Sequence, residues 1–186
     1  MKKLVFILII ISIVIFVGCE GKEQTLTDII NNKIIFITEA GESIYLKDYK
    51  SSKYTELDII PDKYAIIDLN GDNVDEMVLH TSPDYGLYLV FHKEGKNIYS
   101  FEFVEREIID LKADGTFIQS EGAGINYYVK LAFNDGEYKI NEEAYANNVD
   151  NIYRKNGVKT SDETVKEYVS NFNNMDSIEW TIIDNN

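Results

Sequence analysis

Five turn dipeptides, Asn70-Gly71, Glu94-Gly95, Asp114-Gly115, Asp135-Gly136 and Asn156-Gly157, recur at intervals of 20 to 24 residues. Each glycine supplies the positive φ that a tight chain reversal needs, and such pairs between apolar runs are the strongest short-range signal for a hairpin. The stretches between them, "YGLYLVFH", "NIYSFEFV", "TFIQS", "NYYVKLAF" and "EYKI", are short and rich in aromatic and β-branched residues. These residue types suit a pleated sheet surface, and the chain holds 13 Tyr and 9 Phe. The pattern predicts an antiparallel β-meander of hairpins. Alternation within "YSFEFV" and "YYVKLAF" predicts sheets with one wet face. Even spacing would also suit a propeller or a repeat array, but the segments share no detailed similarity.

The two ends differ from this middle. "LTDIINNKIIFIT" predicts a short helical turn followed by a strand ending near Thr38, with Ala40-Gly41 turning into "SIYLKDY". Near the C-terminus, Thr160 with Glu163 three residues on forms a capping box, and Val165, Tyr168, Val169 and Phe172 follow at helical spacing. Their apolar stripe should lie on the sheet. "SIEWTII" then places Ile178, Trp180 and Ile182 on one face of a closing strand. The expected fold class is mainly β (α+β), an antiparallel meander with a packed C-terminal helix and closing strand, in one domain over residues 26–186.

Ahead of this domain, "MKKLVFILIIISIVIFVGCE" sets two lysines before an apolar run from Leu4 to Val17. That run is shorter than the roughly 20 residues of a bilayer-spanning helix, so residues 1–18 are expected to be a secretory signal. Val17-Gly18-Cys19 resembles the lipobox of bacterial lipoproteins, with Phe16 where Leu is preferred. The resemblance implies that Cys19 is diacylated and becomes the first mature residue, with 19–25 as lipidated cysteine and short tether. Two acyl chains give stable anchoring where one gives only marginal binding. Cys19 is the chain's single cysteine, so no internal disulfide forms. The expected location is the outer face of the bacterial cytoplasmic membrane.

Charge narrows the partners. The formal net charge is −14, and loss of Lys2 and Lys3 with the signal takes it to −16. Nucleic acid is excluded as a partner, because affinity for phosphate backbones needs clustered Lys and Arg. The same surface resists an anionic membrane, so acyl chains must hold the protein there. Basic proteins, glycans and divalent cations remain compatible.

The densest acidity lies in "AIIDLNGDNVDEMVLH", where Asp68, Asp72, Asp75 and Glu76 fall within nine residues and no Lys or Arg occurs from Tyr64 to His92. Asp68, Asn70, Asp72 and Glu76 offer side-chain oxygens at loop positions 1, 3, 5 and 9, with the Val74 carbonyl at position 7. A Ca²⁺ ion takes six to eight oxygens from a loop curling around it. The stretch resembles the calcium loops written D-x-[DN]-x-D-G-x-x-[DE] of FG-GAP-type repeats and, in longer form, of the EF-hand. It departs from the EF-hand in Leu79 at position 12 and in its strand-like flanks, and from both in Asn73 where Gly is usual. The resemblance implies a structural Ca²⁺ held by Asp68, Asn70, Asp72, Val74 and Glu76, with Asp75 a bystander. The metal-free alternative is a hairpin closed by Asn70-Gly71 as a type I′ turn. With its flanking hairpins and "LKADGTFIQSEGA", the chain also resembles a group of Gram-positive lipoproteins without known activity, which implies surface display.

Other chemistry is weaker. Ser82 lies near His80, but no G-x-S-x-G elbow surrounds it, and His80 and His92 are the only histidines. Gly122 and Gly124 precede a strand, where a dinucleotide site needs a third glycine and a helix. Glu102, Glu105 and Glu107 would suit a glycosidase pair, though solvated strand faces explain them more simply. The expectation is a non-enzymatic, monomeric surface lipoprotein acting as a binding or interaction module. The alternatives are a surface hydrolase using paired carboxylates and an acidic immunity or decoy protein capturing a basic partner.

Overall fold

A computed structural model of the chain describes residues 25–53, 59–81 and 86–184. The expected signal segment, Cys19 and Ser82 lie outside the described residues. The chain is mainly β, as its turn spacing predicts. It runs through α1 (Thr27–Ile30), β1 (Phe36–Ile37), β2 (Ser43–Ile44), a 3₁₀ turn (Leu46–Asp48), β3 (Pro61–Ile67), β4 (Glu76–Thr81), β5 (Leu87–Glu94) and β6 (Asn97–Val104). A second 3₁₀ turn (Glu105–Glu107) leads to β7 (Phe117–Gly122), β8 (Ile125–Asn134), β9 (Glu137–Asn147), β10 (Ile152–Lys155), β11 (Val158–Lys159), α2 (Asp162–Asn173) and β12 (Thr181–Ile182). No described helix is long and apolar enough to cross a membrane.

The strands form two sheets. One has seven strands in the order β12-β3-β4-β5-β6-β1-β2, and the other five in the order β11-β10-β9-β8-β7. Neighbours are antiparallel except β1, which runs parallel to β6. Asp135-Gly136 and Asn156-Gly157 close two-residue hairpins with positive φ at both central positions, the backbone twist that matches twisted strands.

Side-chain alternation then builds two cores from the seven-stranded sheet. Met77, Leu79, Leu87, Leu89, Phe91 and Ile98 bury one face against Ile29, Ile34, Phe36, Leu46 and Tyr49 of the N-terminal segment. On the opposite face, Val78, Val90, Phe101 and Phe103 meet Phe117, Val129 and Leu131 of the five-stranded sheet. Every residue of β4 is therefore buried. The expectation of one wet face fails for this sheet, because the N-terminal segment covers the side that alternation left to water.

The five-stranded sheet is covered in turn by α2. Val165 and Phe172 are buried, and Phe172 and Tyr168 meet Tyr128 edge-on at 5.0 and 5.7 Å between centroids. Ser161 caps this helix, its Oγ accepting the Thr164 N–H, where the sequence pointed to Thr160. Ser161 has the extended backbone a cap requires, which moves the cap one residue along the chain. The closing strand pairs with β3, and Ile178 and Trp180 pack on the inter-sheet core, but Ile182 is 73% exposed. β12 is an edge strand, so its far end has nothing to cover it.

Gly115 fixes how the turn before β7 meets the acidic loop. Its φ is +81°, and a Cβ there would stand 2.3 Å from the Leu69 carbonyl oxygen. Both the backbone conformation and the contact exclude a side chain. Gly115→Ala is expected to lower unfolding free energy by about 3 kcal/mol, read from the urea midpoint, since strain and overpacking each cost about 1–3 kcal/mol.

Candidate functional site

The acidic loop joins β3 to β4, with Ile67 paired to Glu76, so eight residues, Asp68–Asp75, make the connection. This is not the two-residue Asn70-Gly71 turn of the metal-free alternative. Gly71 has φ +80°, but the second left-handed residue is Asn73 at +67°. Asp68 organises the loop: Oδ1 accepts the N–H groups of Gly71 and Asp72, and Oδ2 accepts that of Asn73. Partial burial pushes its carboxyl pKa up, but these backbone bonds outweigh that and hold it below 3.8. Asn70 Oδ1 accepts from Asp72 N, Asn70 Nδ2 donates to Asp72 Oδ2, and Asp72 Oδ1 accepts from Val74 N.

Glu76 stands apart from these residues. It is fully buried, Oε2 accepting the Leu69 N–H at 2.8 Å and Oε1 lying 2.8 Å from His92 Nδ1. His92 in turn stacks on Phe133 of the other sheet, at 4.4 Å and 11°. The fifth residue of the expected calcium shell is thus committed to the inter-sheet core, because β4 begins at Glu76 and its pleat points that side chain inward. Among the described residues, no group of three or more His, Cys, Asp or Glu is placed to hold a metal ion. Burial pushes the Glu76 carboxyl above 4.5 despite the opposing bonds from His92 and Leu69.

Glu102 lies on the opposite face of the same sheet, 1% exposed, where a solvated strand face was expected. Its carboxylate accepts bonds from the Tyr49 and Ser51 hydroxyls and from the N–H groups of Ser52 and Lys53. Burial pushes its pKa up, but the donors, Ser51 and Tyr49 foremost, outweigh it and leave it below 4.5. Burial and the same carboxylate push the Tyr49 hydroxyl far upward. Glu102 is therefore the clasp that holds the 49–53 segment on the sheet.

Only one of the three acids of that region borders a cleft whose other walls the sequence did not foresee. Beyond Val129, the residues Gln119, Tyr127, Ile140 and Glu142 face the Glu105–Glu107 turn across a cleft of about 630 Å³. Tyr127 forms one wall, backed at 4.6 Å by Tyr145, on whose ring the Arg154 guanidinium stacks at 3.8 Å. Arg154 grips Glu142 with Nε and an Nη, and this pairing raises the Arg154 pKa. Glu107 accepts from Val104 N and Lys53 Nζ. Burial, then a hydrogen bond with Glu121, push the Tyr127 hydroxyl upward. Glu107 and Glu142 are thus each paired with a basic side chain. The residues Tyr127, Glu142 and Arg154 escaped detection because a bulge between Tyr128 and Val129 resets the β8–β9 register, so which face each occupies is set only by pairing.

The two buried carboxylates act on stability with opposite sign. Glu102, lowered in the fold, contributes stability above 4.5 that is lost as pH falls through its folded pKa; Glu76, raised, contributes below 4.5 and loses it as pH rises through its folded value. Glu102→Gln is expected to cost about 2–3 kcal/mol at pH 7, the range for hydrogen bonds to a charged group. Urea titrations should show the gap from the unmutated protein shrinking as pH drops below 4.5. Comparison of the chain with known protein families, with curated proteins and with solved structures finds no match.

Proposed function

We propose that the chain is a lipid-anchored binding module on the outer face of the bacterial cytoplasmic membrane, holding a glycan in the cleft beside Tyr127. The cleft carries this reading. An aromatic wall offers its face to the C–H groups of a sugar ring, and fixed planar polar groups, Gln119 and the Arg154–Glu142 pair, offer hydrogen bonds at its edge. A hydrolase would need two carboxyl groups free to act as acid and as base or nucleophile. Here Glu107 and Glu142 are each engaged by a basic side chain. Lys53 and Arg154 also balance the cleft's acids, which favours a neutral ligand there over a basic protein.

Soluble cell-wall oligosaccharide titrated into the purified protein by calorimetry should bind saturably. Tyr127→Ala should weaken binding about tenfold, the loss of roughly 1.4 kcal/mol, in protein whose melting curve shows that it is still folded. Shortened oligosaccharide products would replace this reading with the hydrolase, and absence of binding would end it. Cys19→Ser should release the chain from the membrane fraction into the medium.

The calcium part of the proposal narrows to the oxygens of Asp68, Asn70, Asp72 and the Val74 carbonyl. Its support is the acidity of an exposed loop with no Lys or Arg from Tyr64 to His92. At 1 mM Ca²⁺ and a dissociation constant of about 0.1 mM, a bound ion would stabilise the fold by about 1.4 kcal/mol. Melting in calcium against EDTA should show a rise that Asp72→Ala removes; identical curves would exclude the ion. Asp68→Ala should lower the melting temperature in EDTA as well, because the N–H bonds it accepts close the loop without a metal.

A further inference from the structure

A second recess, away from the cleft, gathers aromatic rings from three elements. His80 of β4 meets Tyr88 of β5 at 4.8 Å between centroids, and Trp180, just before β12, stands 6.3 Å from Tyr88 and 6.5 Å from His80. Cross-strand pairing of His80 with Tyr88 sets the first contact, and pairing of β12 with β3 brings in the indole. Beside them is a cavity of about 210 Å³ lined by Lys63, Tyr88, Asp110, Trp180, Ile108 and Ile178.

The charges around it are mixed. Asp62 Oδ1 lies 2.6 Å from His80 Nδ1, and Asp110, in the lining, pairs with Lys112 Nζ at 2.9 Å. Burial raises the Tyr88 pKa, and the charges of Glu105 and Asp62 raise it further, which puts both carboxylates within electrostatic reach of the ring. Lys63 is the informative member. In a chain with 32 acidic and 18 basic residues, it makes no ion pair among the described residues, and its Nζ sits 4.8 Å from the centre of the Trp180 ring. The ammonium group rests on an aromatic face where a carboxylate partner was statistically at hand.

We propose that this recess is a binding site for an organic ammonium ion, in the seat that Lys63 fills in the free protein. Aromatic faces attract a cation through their quadrupole, most strongly where it is shed of water. The walls of Ile108 and Ile178 suit an ammonium sheathed in methyl groups, which needs no hydrogen-bond acceptor, so a quaternary ammonium of the choline type is the fitting class. The site is independent of the Tyr127 cleft.

Trp180 is the chain's single tryptophan, so intrinsic fluorescence reports from the site itself. Choline titrated into the purified protein should give a saturable change. Lys63→Ala, which empties the seat, should tighten binding about tenfold, and the neutral isostere 3,3-dimethylbutan-1-ol should bind about tenfold more weakly than choline. Glu105→Gln, an exposed change that leaves the aromatic packing in place, should weaken choline and leave the isostere unaffected; Tyr88→Leu should weaken both. The proposal is overturned if folded Lys63→Ala protein, checked by its melting curve, gives no saturable response to choline, or if choline and the isostere bind equally.

Discussion

Coverage of the seven-stranded sheet on both faces is the constraint from which the rest follows. A sheet buried on two sides has no solvent in which to leave a polar alternate, so each buried carboxylate on β4 to β6 must find partners within the fold. Glu102 finds them on one face and Glu76 on the other. Glu102 gathers five donors from residues 49–53, so the N-terminal cover is held by charge-assisted bonds as well as by apolar contact. Glu76 ties the acidic loop to His92, and through the stacking of His92 on Phe133 to the second sheet. Two carboxylates thus fasten three layers.

The acidic loop takes its form from this arrangement. Its entry is fixed by Leu69, whose N–H bonds Glu76 and whose carbonyl lies against Gly115, and its interior is closed by the bonds to Asp68. An oxygen-rich sequence can spend its oxygens on cations or on its own backbone. Here Asp68, Asn70 and Asp72 each accept at least one backbone N–H. The same residue types serve both ends, which is why the spacing of acids alone does not distinguish a metal loop from a self-capped one.

The places where ligands are proposed lie where coverage runs out. The Tyr127 cleft opens between the five-stranded sheet and the Glu105–Glu107 turn, and the Trp180 recess lies beside β12, which adds only two residues to the sheet. At such margins aromatic side chains keep one face against the core and one toward the ligand, a position suited to Tyr and Trp.

Local chemistry in the sequence determined the strands, the hairpins and the helix. Asp135-Gly136 and Asn156-Gly157 need positive φ wherever they stand, "NIYSFEFV" is a strand by its side chains, and Val165 to Phe172 keep helical spacing in any context. The expectation of an N-terminal signal and lipobox rests on the same kind of local pattern. What tertiary structure alone decided is which face each strand residue turns to and what lies across from it. Glu102 looked like a solvated acid and Glu76 like a metal ligand, since burial depends on a cover that begins more than fifty residues away in Glu102's case. Tyr127, Arg154 and Trp180 became neighbours of a cleft or recess only once the β8–β9 bulge and the β3–β12 pairing had set their positions. Period and turn chemistry act over a few residues, whereas burial and convergence are properties of elements brought together by the whole fold.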